Sequence, residues 1–295
     1  MTGAEQGFLL LTSHLGNPDC KVLTVAQLRT LSRRVQSMEA PTQLRELTEY
    51  DLIALGYDRE TAGRILQLLS RQEQLARYLY KAQERGCQPI TRISPQYPAA
   101  LRKRLGVDCP AVLWAKGDLS LLEQNAVAVV GSRELKAENL AFAMEAGRQA
   151  ARQAHVLISG NARGADRVAQ ESCLAHGGKV ISVVADSLED QPAAENVLYL
   201  SEDGFDLPFS PQRALSRNRV IHCLGKLTLV AQCTLEKGGT WNGTVQNLRH
   251  DWTPVFCYAD GSEAAMALHS RGAQLVQQHQ LTRFSTLTPA SIKFL

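Results

Sequence analysis

Two hydrophobic periods divide the chain. In the second half, short runs that are apolar along their whole length alternate with helical stretches: AVAVVG (126–131), HVLISG (155–160), KVISVVA (179–185), KLTLVAQ (226–232) and TPVFCYA (253–259). Uniformly apolar strands of this kind belong to a parallel sheet covered on both faces. Between them lie 137–154, 165–176, 213–224, 240–250 and 262–272, rich in Ala, Leu, Gln and Arg. The alternation predicts a Rossmann-like, doubly wound, mostly parallel α/β domain over about 123–275.

The first part of the chain carries the helical period alone. Leu28, Leu31 and Val35, and then Ile65, Leu68, Leu69, Leu75 and Leu79, recur at helical spacing. The turns LGNPD, EAPTQ and ALGYDRE separate the segments, so 1–88 reads as a small helical domain. Within it, DLIALGYDRETAGRIL places a glycine turn between two helical pieces. Helix-hairpin-helix modules that touch DNA backbones have this layout, and so does a plain packing turn. Residues 89–122 hold several prolines and little periodicity, and are expected to connect the two domains and pack on the second. Residues 276–295 read as a tail.

At 295 residues, 44% hydrophobic and 21% charged, the chain has ample material for a core, while a net charge of +3 does not by itself establish a nucleic-acid partner. The placement of the arginines has to decide that. The opening MTGAEQGFLLLTSHLG has no basic region ahead of its apolar run, and no run approaches membrane-span length, so a cytoplasmic location without a membrane partner is expected. Seven cysteines occur without any Cys-x-x-Cys pair, which suits small buried residues in a reducing compartment and predicts no metal site.

Candidate chemistry gathers at the ends of the expected strands, where α/β sheets bind ligands. After the first strand come Gly131, which permits close backbone approach, Ser132, a cap or anion donor, and Arg133, a fixed cation. There is no G-x-G-x-x-G, so no dinucleotide cofactor is expected. After the second come Ser159, Gly160, Arg163, Gly164 and Asp166, a turn suited to an anion with a guanidinium at its rim. Asp166 falls in a first helical turn, where it complements the helix dipole and can orient Arg163. A third cluster, FSPQRALSRNRVI, supplies Arg213, Arg217, Asn218 and Arg219. Arg213 and Arg217 share a helix face, and a counter-anion between them or a solvated basic face would relieve their repulsion. A fourth, EKGGTWNGTVQNL, offers Gly238, Gly239 and Thr240 before a helix. Trp241 and Trp252 can stack on bases or simply pack.

These segments together resemble the DNA-processing protein A (DprA/Smf) family. VAVVGSR (127–133), LISGNARGADRVAQ (157–170) and RNRVI (217–221) match its three characteristic segments in order and approximate spacing, and YPAALRKRLGVDCPAVLWAKGDLSLL matches its entry segment. The resemblance spans about 94–275 and, more loosely, the N-terminal helices, where many members have a sterile-alpha-motif-like domain. It implies an extended Rossmann-like domain that binds single-stranded DNA as a homodimer and helps load a RecA-type recombinase in DNA uptake and recombination. It also implies DNA contacts at Ser132, Arg133, Ser159, Gly160, Arg163, Gly164, Arg217, Asn218 and Arg219. Two departures mark a divergent branch: Phe209 is separated from Arg217 by SPQRALS, and KGGTW stands in the fourth cluster. About twenty residues follow Gly272, so the winged-helix domain that often closes the family is expected to be absent.

Two other function classes share the fold. Nucleoside monophosphate phosphoribohydrolases of the lonely-guy type carry Pro-Gly-Gly-x-Gly-Thr-x-x-Glu, whereas here the proline is missing and Asn247 stands where the acid would be. Glu202, Asp203 and Glu236 are the remaining acids to consider, no Ser-His-Asp set or Walker loop occurs, and no enzymatic activity is expected. A nucleotide sensor in phage or plasmid defence is the other alternative, favoured by a pocket sized for one nucleotide.

Overall fold

In a computed structural model, which describes residues 1–38 and 46–287, nine strands form a single sheet. They are β1 (Cys87–Thr91), β2 (Val112–Lys116), β3 (Ala126–Val130), β4 (Val156–Ser159), β5 (Lys179–Val183), β6 (Val197–Glu202), β7 (Thr228–Val230), β8 (Val255–Tyr258) and β9 (Gln274–Val276). Their order is β1-β2-β6-β5-β4-β3-β7-β8-β9. From β6 to β9 every pair is parallel, while β2 joins β6, and β1 joins β2, antiparallel. The expected doubly wound α/β fold is therefore present, extended by an antiparallel edge.

Alternation along the strands supplies two cores. Val127 and Val129 face one side, with Phe142, Ala146 and Ala169 from the helices Ala137–Arg152 and Ala165–Ala175. Ala128 and Val130 face the other, with Val220, Ile221 and Trp241 from the helices Pro211–Leu224 and Gly238–His250. The chain winds outward from β3 through β4, β5 and β6, then returns to β7 on the opposite side of β3. That reversal leaves a crevice at the carboxyl ends of β3 and β7, the place where open α/β sheets take ligands.

Residues 89–122 do more than connect. They contribute most of β1 and all of β2, and Trp114 of β2 is fully buried against Tyr78 and Phe205 with ring centroids 5.2 Å away in both cases. Tyr78 lies on the helix Gln72–Glu84, and its hydroxyl donates to Asp206 at 2.7 Å, so the N-terminal region is tied to the sheet. A second cluster of its own, including Leu23, Leu31, Leu52 and Ile65, holds the other N-terminal helices together. At the Gly56 turn, Asp58 caps the helix Arg59–Leu69 by accepting from the Thr61 amide at 2.7 Å. A carboxylate thus occupies the helix start that a DNA phosphate would need, which favours the packing role for this hairpin.

The EAPTQ turn and the end of the tail, 288–295, lie outside the described residues. Six of the seven cysteines are buried and all are free thiols. Among the described residues no helix is long and apolar enough to cross a membrane, and no three His, Cys, Asp or Glu side chains are grouped to hold a metal.

Candidate functional site

The crevice between β3 and β7 is a cleft of about 770 Å³. The segment Gly131–Glu134 forms one wall, Arg217, Asn218 and His222 line it from the helix Pro211–Leu224, and Lys237–Thr240 close the far side. Backbone ties fix this geometry. The Ser132 amide and hydroxyl both donate to the Gln232 carbonyl, at 2.9 and 3.3 Å, joining the ends of β3 and β7. Thr240 donates from Oγ1 to the Gly131 carbonyl at 2.9 Å, and Asn218 from Nδ2 to the Gly239 carbonyl at 3.0 Å. The helix Gly238–His250 has no side-chain cap, so its first-turn amides remain open to an acceptor from outside.

The cations sort into two groups. Arg133 and Lys237 line the cleft with exposed side chains, and neither side chain has a polar partner among the described residues. Arg163 is likewise exposed and unpaired. It is carried to Arg133 by Gly164, whose φ of 90° and missing β-carbon let the turn lie on the Ser132 and Arg133 carbonyls. The Ala165 amide donates to the Ser132 carbonyl there, at 3.1 Å.

The other three arginines are committed to the fold. Arg213 donates to the carbonyls of Ala185, Leu207 and Pro208, each at 2.8 Å, and to Ser201 Oγ at 2.7 Å. Its repulsion with Arg217 is relieved by these carbonyls, so the pair needs no anion between its members. Arg219 pairs with buried Glu202 at 3.2 Å on the side of the helix away from the cleft, as a two-residue step from Arg217 dictates. Glu202 also accepts from Ser216, so this acid is bound up in structure.

Arg217 lies beneath the cleft. It donates from Nη1 to the Val183 carbonyl at 2.8 Å, and its Nη2 and Asp166 Oδ2 both lie within 3 Å of the point a β-carbon on Gly160 would occupy. Asp166 is buried and accepts from the Gly160 amide at 3.1 Å. Burial pushes its carboxyl up from the ordinary value, and Arg217 opposes that rise. Asp166 thus has the Arg217 guanidinium, and not that of Arg163, as its neighbouring opposite charge. Ser159 is fully buried, with its hydroxyl donating to the Val129 carbonyl at 2.7 Å, and does not reach the cleft.

Three features of the cleft escaped the sequence reading. Phe209 and Leu215, 53% and 52% exposed, form an apolar lip. Lys237, directly before the glycine pair, adds a rim cation. His222 lines the cleft although it is only 1% exposed, and burial pushes its imidazole down to about 4. The tryptophans pack: Trp241 is buried under Arg271 and Trp252 stacks on His250.

The His222 shift makes a stability prediction. An unfolded chain would titrate near the ordinary 6.5 and the folded chain near 4, so between those values the unfolded state binds more protons. Stability is full above about pH 6.5 and is lost as pH falls through the window. About 2 kcal/mol of loss is expected from pH 7 to pH 5, at about 1.4 kcal/mol per unit. Urea denaturation at the two pH values should show this loss in the wild type relative to His222→Gln, and parallel behaviour of the two proteins would refute it.

Comparison with known proteins places this geometry. Residues 88–284 match the family model of DNA recombination-mediator protein A. The chain belongs to that family. The matched stretch runs from β1 past β9 and contains the whole cleft. DNA processing protein DprA of Streptococcus pneumoniae is 32% identical over 188 residues, 59% of this chain and 66% of that protein. The Bacillus subtilis protein of the same name is 29% identical over 177 residues, 56% of this chain and 59% of that one. The alignments thus span less than two thirds of these curated relatives. Among solved structures, DprA from Streptococcus pneumoniae superposes with a TM-score of 0.67 at 24% identity, covering 88% of this chain and 96% of that chain. DNA processing protein A from Helicobacter pylori, whose structure is described for its single-stranded DNA binding mode, gives 0.57 at 24% identity, covering 66% and 94%. Both share the fold of this member of the DNA recombination-mediator protein A family.

Proposed function

We propose that this protein binds single-stranded DNA at the β3/β7 cleft, without catalysis. The observation that carries the reading is the pair of exposed, unpaired cations lining the cleft, Arg133 and Lys237, beside an uncapped helix start, with exposed, unpaired Arg163 on the turn that packs against Arg133. Phosphates fit the rim, where cations and open amides meet them, and Phe209 on the lip offers a face for base stacking. Arg213, Arg217 and Arg219 hold the frame and contribute few phosphate contacts, so the track is narrower than a count of arginines suggests. The Helicobacter pylori relative's description as a single-stranded DNA binder supports the same reading. In keeping with the family, the bound strand would be protected and passed to a RecA-type recombinase by a homodimer.

The hydrolase alternative loses its acid: Asn247 is fully buried, with its amide accepting from the Thr253 amide and donating to Thr253 Oγ1, both at 2.9 Å. Gel shifts with a labelled single strand, competed by unlabelled single strand, duplex or nucleoside monophosphates, test the proposal. Single strands should compete at far lower concentration than the other two, and Arg133→Ala with Arg163→Ala should weaken binding about tenfold or more without changing the unfolding midpoint. Equal competition by a monophosphate would transfer the cleft to a free nucleotide.

A further inference from the structure

We propose that His222 contacts the ligand, donating from Nε2 to an acceptor on the edge of a nucleobase inserted into the cleft. This rests on the nucleic-acid reading of the cleft and adds to it a neutral contact at the floor, beneath the charged rim.

The ring's protonation is set by its neighbours. Nδ1 lies 3.2 Å from Asn247 Nδ2 and 3.1 Å from Thr228 Oγ1. Asn247 cannot present its oxygen to the ring, because Oδ1 accepts the Thr253 amide at 2.9 Å. The amide group facing Nδ1 is therefore a donor, Nδ1 is the acceptor, and the proton resides on Nε2. Nε2 has no hydrogen-bond partner among the described residues. It sits above Gly243, where a β-carbon would come within 3.2 Å of it, one helical turn from Asn218 on the same cleft wall. A buried network spanning three elements thus ends in one fixed N–H at the cleft.

The distribution of charge selects the kind of acceptor. Arg133 and Lys237 are exposed on the rim, the place for phosphates, whereas the His222 ring is buried and neutral. A neutral donor below a charged rim and an apolar lip of Phe209 and Leu215 suits a base entering edge first with its sugar-phosphate outside.

The test compares a dT oligonucleotide with one of equal length carrying central abasic residues, by fluorescence anisotropy over a salt series. His222→Leu should weaken binding of the base-bearing strand by about tenfold, as loss of one hydrogen bond does, with the salt slope unchanged because no charge is removed. The abasic strand should bind both proteins equally, and His222→Gln, which keeps an N–H of similar reach, should recover most of the loss. Equal losses on both strands would move the acceptor to the phosphate and overturn the proposal, as would no loss on either. Should His222→Leu fail to fold, Gly243→Ala serves: its methyl would lie 3.2 Å from Nε2 and 3.0 Å from Asn218 Cβ, narrowing the floor while leaving the Nδ1 partners in place. It should reproduce the base-dependent loss, and unaltered binding would overturn the proposal. Wild type that binds with a salt slope but ignores these substitutions defeats this inference alone. Wild type that does not bind single strands defeats the cleft's assignment and this inference with it.

Discussion

Arg217→Ala should destabilise the fold by about 3 kcal/mol, the cost of leaving the Val183 carbonyl without its donor and the buried Asp166 carboxylate without its nearest opposite charge. The guanidinium lies beneath the cleft with Asp166 on one side and the Val183 carbonyl, 2.8 Å away, on the other. Removing it strands an Asp166 carboxylate that is only 7% exposed and retains the Gly160 amide as a donor. Urea denaturation gives the number, and the double variant with Asp166→Ala should lose less than the sum of the single changes, since the stranded charge is then gone. DNA binding by Arg217→Ala should fall in step with the folded fraction. A variant that keeps full stability yet loses binding would make Arg217 a direct phosphate contact.

Gly164→Ala should be comparably severe, about 3 kcal/mol or more. Two costs add there. The residue sits at φ 90° and ψ −132°, a region that costs a side-chain-bearing residue about 1–3 kcal/mol. The new β-carbon would lie 2.3 Å from the Ser132 carbonyl oxygen and 2.5 Å from that of Arg133, both backbone atoms that cannot swing aside. The turns after β3 and β4 must separate, breaking the hydrogen bond from the Ala165 amide to the Ser132 carbonyl and moving Arg163 away from Arg133. Thermal unfolding and oligonucleotide affinity should therefore fall together, whereas Arg163→Ala, on an exposed side chain, should lower affinity alone. A stable Gly164→Ala protein with normal affinity would show that the two turns need not touch.

The sheet's parallel core was legible because doubly covered strands read as uninterrupted apolar runs, and β3, β4, β5, β7 and β8 all do. The antiparallel edge was not. β1 carries Pro89, which a sheet edge tolerates but a strand pattern does not announce, and at the opposite, parallel edge β9 was missed because it is only three residues long. β6 follows a polar loop and pairs parallel on one side and antiparallel on the other, so no single strand pattern describes it.

The cleft was legible in outline for a related reason: close approaches demand small residues, and Gly131, set against the Ala165 β-carbon, and Gly164, set against the Ser132 and Arg133 carbonyls, mark them. Which arginine is free depends instead on carbonyls far along the chain. Arg213 and Arg217 are claimed by Ala185 and Val183, at the end of β5, about thirty residues earlier, and nothing in RALSRNR signals that. His222 stayed hidden because the residues that fix its ring, Thr228, Asn247 and Thr253, lie on separate elements.

The most direct measurement is the affinity for a dT oligonucleotide as a function of salt, for the wild type and for the triple variant Arg133→Ala, Arg163→Ala, Lys237→Ala. Three rim cations predict a log-log slope of about −2 for the wild type, at about 0.7 per phosphate contact, and a slope near zero with weak binding for the variant. Wild-type affinity that ignores salt, or a triple variant that keeps the wild-type slope, would contradict a phosphate track on this cleft.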